Sequence, residues 1–202
     1  MKVLQTCTTL IGLIWWMPLQ ATDLAALKVV CESCHGQSGV SLTSSVPTIA
    51  GQAFTLIEDN LLAYRVNERP CTAGQPGDDG LSVPPSPMCA IAATLDDEAI
   101  AALAEYYEQQ EFVPAIQGFD ESLISRGEEL HHQANCELCH SGGGRISNGM
   151  AAILAGQWTP YLEIAFHQIR TGKRKGPKVM NSAIQLFSDE DIRALLSYYA
   201  SR

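Results

Sequence analysis

Apolar positions along this chain recur mainly with the 3.6-residue period of a helix. Ile100, Leu103, Ala104 and Tyr107 make one stripe, and Ile192, Leu195, Leu196 and Tyr199 make another. Each stripe follows a residue suited to cap a helix, Asp96 or Ser188. Acidic residues fill both first turns, where they meet the positive end of the helix dipole. Ser188 and Asp191 stand at capping-box spacing. A further helix is predicted from Asp120 to His132. No segment alternates like a strand over a useful length, so an all-α fold is expected.

The first 21 residues follow another plan. A positive start at Lys2 leads into the apolar run Leu10 to Met17, which Pro18 breaks ahead of the small residue Ala21. That is the pattern of a secretory signal peptide over residues 1–21, and the run is short for a membrane span. Cys7 leaves with it. The mature chain is expected to be exported to the periplasm, where disulfides persist, and to hold no further span.

The chain also repeats itself. Cys31-Glu32-Ser33-Cys34-His35 returns as Cys136-Glu137-Leu138-Cys139-His140, an offset of 105. Ala50-Gly51-Gln52 and Ala155-Gly156-Gln157 keep that offset, as do Arg65 and Arg170. From Met88 and Met180 onward the offset is 92, so the first copy carries 13 extra residues between its arginine and its methionine. Two copies of one small helical unit fit this pattern. The predicted organisation is a first domain over 22–113, a Pro/Gly-containing linker over 114–118 and a second domain over 119–202.

A C-x-x-C-H run is the signature of covalent c-type haem attachment. Two thiols spaced by a helical turn reach one edge of a porphyrin, and the next residue, a histidine, faces the iron. Cys31, Cys34, Cys136 and Cys139 are therefore the expected thioether residues of two haem c groups, with His35 and His140 as axial ligands. A redox dithiol would not require the following histidine twice, and a zinc site would require the two motifs to converge. Met88 and Met180 occupy matched positions, which makes them the expected sixth ligands. Met150 has no partner in the first copy. Nor have His131, His132 and His167, which are read as surface imidazoles. Irons with both axial positions filled would pass single electrons rather than transform a substrate.

Cys71 and Cys89 bracket the extra residues of the first copy. A disulfide pinning this loop beside Met88 is favoured in an oxidising compartment, with two separate buried thiols as the alternative. The net charge of −9 argues against a nucleic-acid partner. The charge is uneven: residues 22–118 carry net −10, whereas 119–202 are balanced and hold the cluster Arg170, Lys173, Arg174, Lys175 and Lys178. That cluster is either a solvated face or a docking patch for a redox partner. Trp158 and Tyr161 are expected against a haem or the domain interface. Arg65 and Arg170 face haem propionates or plain solvent.

These residues resemble the two-domain, dihaem class I cytochromes c, a group that includes cytochrome c4 and the cytochrome subunit of flavocytochrome c sulfide dehydrogenase. The likeness rests on C-x-x-C-H-G at Cys31 to Gly36, the Ala-Gly-Gln turns, the later methionines and closing helices that end in Tyr-Tyr. It implies two small helical bundles, each around one covalent haem and related by a pseudo-twofold axis. It also implies His35/Met88 and His140/Met180 as axial pairs. The second half, from Phe119-Asp120 through Ile153 to Leu162, looks closest to the sulfide dehydrogenase subunit. That likeness implies first a cytochrome subunit that takes electrons from a sulfide-oxidising flavoprotein. The alternative within the group is a free-standing cytochrome c4-like shuttle, with a terminal oxidase or a small cytochrome as partner. The third reading, a haem enzyme in its own right, would need an open or readily displaced sixth ligand. The 13-residue excess with Cys71 and Cys89 departs from the family pattern.

Overall fold

The computed structural model describes residues 23–71, 86–147, 149 and 151–202. The proposed signal peptide, most of the loop between Cys71 and Cys89, and Met150 lie outside the described residues. The described part is helical, without a strand. The first half contains α1 (Leu24–His35), α2 (Phe54–Arg65), α3 (Met88–Ala92) and α4 (Asp97–Glu108). The second contains α5 (Ile124–Gln133), the one-turn glycine element α6 (Ser141–Gly144), α7 (Thr159–Arg170), α8 (Lys178–Leu186) and α9 (Asp189–Ala200). None of these helices is long and apolar enough to cross a membrane.

Local chemistry accounts for the helix ends. Asp96 accepts from the Ala99 N–H, and Ser188 and Asp191 complete the capping box of α9. The stretch predicted from Asp120 opens differently: Asp120 caps a 3-10 turn at Glu121–Leu123, and the α-helix begins at Ile124. The offsets in sequence reappear as structure. α2 and α7 coincide after a shift of 105 residues, and α4 and α9 after a shift of 92. In each half the closing helix packs on the first helix and on the middle one, and the methionine-bearing helix packs on the middle one. Ile57, Leu61, Ile100, Leu103 and Tyr107 centre one core, and Leu130, Leu162, Leu195, Tyr198 and Tyr199 centre the other.

Arg65 and Arg170 do the same job in both halves. Arg65 pairs with Asp97 at 2.8 Å and Arg170 with Asp189 at 2.6 Å, each tying the middle helix to the start of the closing helix. The histidines correct the surface reading. His131 is fully buried, bonding Tyr199 Oη at 2.9 Å and Glu137 Oε2 at 2.8 Å, and His167 is buried too. Gly127, Leu130 and His131 share the face of α5 that packs on α9, which is why His131 is drawn inside. His132 is exposed, as expected.

Candidate functional site

The two C-x-x-C-H motifs sit differently on the backbone. Cys31, Cys34 and His35 lie on the last turns of the continuous helix α1. In the second half α5 ends at Gln133, Asn135 turns left-handed at φ 57°, and Cys136–Leu138 form a 3-10 turn. None of the four motif cysteines is joined in a disulfide. The glutamate inside each motif caps the chain beyond it. Glu32 accepts from the Ser38 N–H, and its counterpart Glu137 accepts from the N–H groups of Gly142 and Gly143. Those backbone bonds, and then His131, hold the Glu137 carboxyl down to about 2.

Both motif histidines are fixed in one way. His35 Nδ1 lies 2.9 Å from the carbonyl of Pro47, and His140 Nδ1 lies 2.9 Å from that of Ala152, its equivalent 105 residues on. A carbonyl can only accept, so Nδ1 carries the proton and Nε2 keeps its lone pair for a metal. Burial lowers the pKa of both rings and favours this neutral, ligating form. Met88 opens α3 and packs against the same core as Cys31. Met180 lies on α8, with its methyl over Gly176, where an added Cβ would come within 2.4 Å of it. Among the described residues no group of three or more His, Cys, Asp or Glu side chains is placed to hold a metal ion.

Cys71 and Cys89 are joined by a disulfide, with Cα atoms 6.0 Å apart. The bridge abuts Met88 in sequence. The Ser86 N–H bonds the Cys71 carbonyl at 2.9 Å, which closes the base of the loop.

The halves meet through a reciprocal seam. Gln157 accepts from the Thr48 N–H at 2.9 Å, while Gln52 accepts from the Ile153 N–H at 3.0 Å. Gln52 and Gln157, like Thr48 and Ile153, are equivalents at the offset of 105, so the same bond is made in both directions across a pseudo-twofold axis. Trp158 Nε1 donates to the Ser41 carbonyl at 2.9 Å, and the Tyr161 N–H donates to the Ser44 carbonyl at 3.2 Å. Both aromatics thus lie at the interface. Arg69, only 7% exposed, stacks on Tyr64 and donates to the Tyr161 hydroxyl at 3.1 Å. Burial opposes ionisation of the Tyr161 phenol, but Arg69 and Arg174 outweigh it and bring the group down to about 8.

The basic cluster is accordingly divided. Arg170 is paired within its half, Arg174 is turned to the interface, and Lys175 reaches Glu68 of the first half at 3.9 Å. Sequence reasoning missed Gln52, Gln157, Arg69, Glu137 and His131. The matched Ala-Gly-Gln turns were the available signal for the first two.

The donor set fits covalent haem: two cysteines outside any disulfide, then an imidazole whose Nδ1 is held by a carbonyl and whose Nε2 is available, twice over. A buried arginine whose Nε has no partner adds a cation suited to an anionic group such as a porphyrin carboxylate. Fold and donors together define a tandem c-type cytochrome. Residues 122–198 match the family described as cytochrome C oxidase, cbb3-type, subunit III. The chain is 28% identical to cytochrome c4 of Thiocapsa roseopersicina over 183 residues, covering 84% of this chain and 85% of that one. Over 81 residues it is 36% identical to cytochrome c-554(548) of Halomonas halodenitrificans, which spans 40% of this chain and 84% of that protein. The crystal structure of reduced cytochrome c4 from Pseudomonas stutzeri superposes with a TM-score of 0.70 at 26% identity, covering 89% of this chain and 98% of that one.

The chain belongs to the class I cytochromes c, in the two-domain dihaem group of cytochrome c4, and it carries two covalently attached haem c groups. It is an electron-transfer cytochrome.

Proposed function

We propose that this chain is a periplasmic dihaem shuttle of the cytochrome c4 kind, carrying single electrons to a terminal oxidase. Cys31 and Cys34 anchor the first haem and Cys136 and Cys139 the second. His35 with Met88, and His140 with Met180, hold the irons. The observation that carries the ligand reading is the repeated bond from histidine Nδ1 to a carbonyl, which presents Nε2 in the same way in both domains. Haem, when bound, would supply a one-electron iron couple, which these side chains would hold and the two domains would insulate and tune. The alignment with cytochrome c4 through both halves favours a self-contained carrier. The N-terminal pattern ending at Ala21 supports export.

A second reading makes the chain the cytochrome subunit of a sulfide-oxidising flavoprotein. It is favoured by the likeness of Ile153-Leu154-Ala155-Gly156-Gln157-Trp158 and its surroundings to that family's second domain. Purification of the native protein, with haem and flavin counted per chain, separates the two: a stoichiometric flavin supports the subunit and its absence the shuttle. The ligand assignment is tested by Met180→His, which replaces a thioether by a stronger donor. The second haem's potential should fall with both haems still attached; an unchanged potential removes Met180 from the iron.

A further inference from the structure

The reciprocal seam and the two histidine bonds share their peptide groups. The carbonyl that fixes His35 belongs to Pro47, and the N–H of that same peptide unit belongs to Thr48, which donates to Gln157 of the second domain. The carbonyl that fixes His140 belongs to Ala152, and its peptide N–H, from Ile153, donates to Gln52 of the first domain. Each histidine is therefore one peptide group away from a glutamine of the opposite domain.

We propose that Gln157 tunes the reduction potential of the haem at His35, and Gln52 that of the haem at His140, each across the domain boundary. The inference rests on the axial assignment of the two histidines.

Hydrogen bonds in a chain polarise one another. When Gln157 accepts from the Thr48 N–H, the Pro47 carbonyl oxygen becomes more negative and pulls harder on the His35 Nδ1 proton. The imidazole then donates more strongly through Nε2, which stabilises the ferric iron and lowers the potential. The geometry is protected. Thr48 is 2% exposed, Gln52 5% and Gln157 3%, so water has little access to take over a lost bond. Gln157 is held in register by a second bond, from Nε2 to the Thr48 carbonyl at 2.9 Å. Its turn is anchored by the Gly156 N–H on the Tyr199 carbonyl at 2.8 Å, and the matched Gly51 N–H sits on Tyr107 at 2.8 Å. Gly156 has φ 75°, and a Cβ there would come within 2.6 Å of Pro114, so glycine sets the angle from which the glutamine crosses. Gln52 and Gln157 are positioning residues: they act on the iron only through the histidine and its peptide.

The test is a spectroelectrochemical titration of the dihaem protein, with the second haem's wave identified by its displacement in Met180→His. In Gln157→Leu the first haem's potential should rise while the second stays in place. Gln157→Glu keeps an acceptor for the Thr48 N–H while losing the bond that Nε2 donates to the Thr48 carbonyl, and the first haem should stay at or below its wild-type potential. Gln52→Leu should raise the second haem alone. A purely structural loosening of the interface would move Leu and Glu variants in the same direction, or both haems together, and either result overturns the proposal. So does an unshifted pair of waves in Gln157→Leu with both irons low-spin. Failure of the ligand reading looks different: His35→Gln would leave both irons six-coordinate with unaltered spectra.

Discussion

The two domains carry one motif on two kinds of support. In the first, α1 runs unbroken through the C-x-x-C-H motif, yet of its residues only His35 is buried, and Val29 is 70% exposed. In the second, the helix stops before the motif, but what remains of it is clamped. Gly127, Leu130 and His131 are buried against α9, and ion pairs from Arg126 to Asp191 and from Arg202 to Glu128 close the sides. The first domain compensates elsewhere, with a disulfide beside its methionine that the second lacks. The difference teaches that the repeat preserves the placement of the histidine and its carbonyl, while the scaffold around it is free to vary.

The largest test of that contrast is Gly127→Ala. A Cβ at this position would lie 2.1 Å from the Ala194 carbonyl oxygen, a backbone atom that cannot step aside. Forcing the helices apart should cost about 3 kcal/mol or more, in the second domain alone. Thermal unfolding followed at each haem checks this, and an equal loss in both domains would dissolve the contrast. The converse is the double change Cys71→Ser with Cys89→Ser. Opening a loop of this length should remove about 2–3 kcal/mol from the first domain and leave the second unmoved.

The smallest effect is one of pH. Glu137 has a folded-state pKa below its ordinary value of 4.5, so its contribution is fully present above about 4.5 and is lost as pH falls toward about 2. Acid titration should loosen the second domain within that window. Glu137→Gln should flatten the dependence; a variant that keeps the wild-type acid profile would show that another group governs it.

Much of this was legible because the chain states it twice. The offsets of 105 and 92 predict the pairing of α2 with α7 and of α4 with α9, and the caps at Asp96 and Ser188 are local chemistry. His131 was misread although its spacing carried a hint, since it falls on the stripe of Gly127 and Leu130. A polar residue on an apolar stripe needs partners, and one of them, Tyr199, lies 68 residues away. The repeat flagged Gln52 and Gln157 as matched without revealing that each serves the other half. A repeat read along the chain implies two parallel copies, whereas a twofold seam exchanges them. The basic cluster looked like one patch because charge is counted along the sequence. In space Arg170, Arg174 and Lys175 turn to three different neighbours.

The Cys71–Cys89 bridge also sets a sorting problem during biogenesis. On the proposed thioether assignment, four of the six cysteines beyond residue 21 would have to stay reduced until the porphyrin vinyl groups alkylate them, while the two of the bridge are oxidised. A wrong link, such as Cys31 to Cys34, would block cofactor loading outright. Maturation of this chain therefore needs chemistry that tells neighbouring thiols apart, in time or in place.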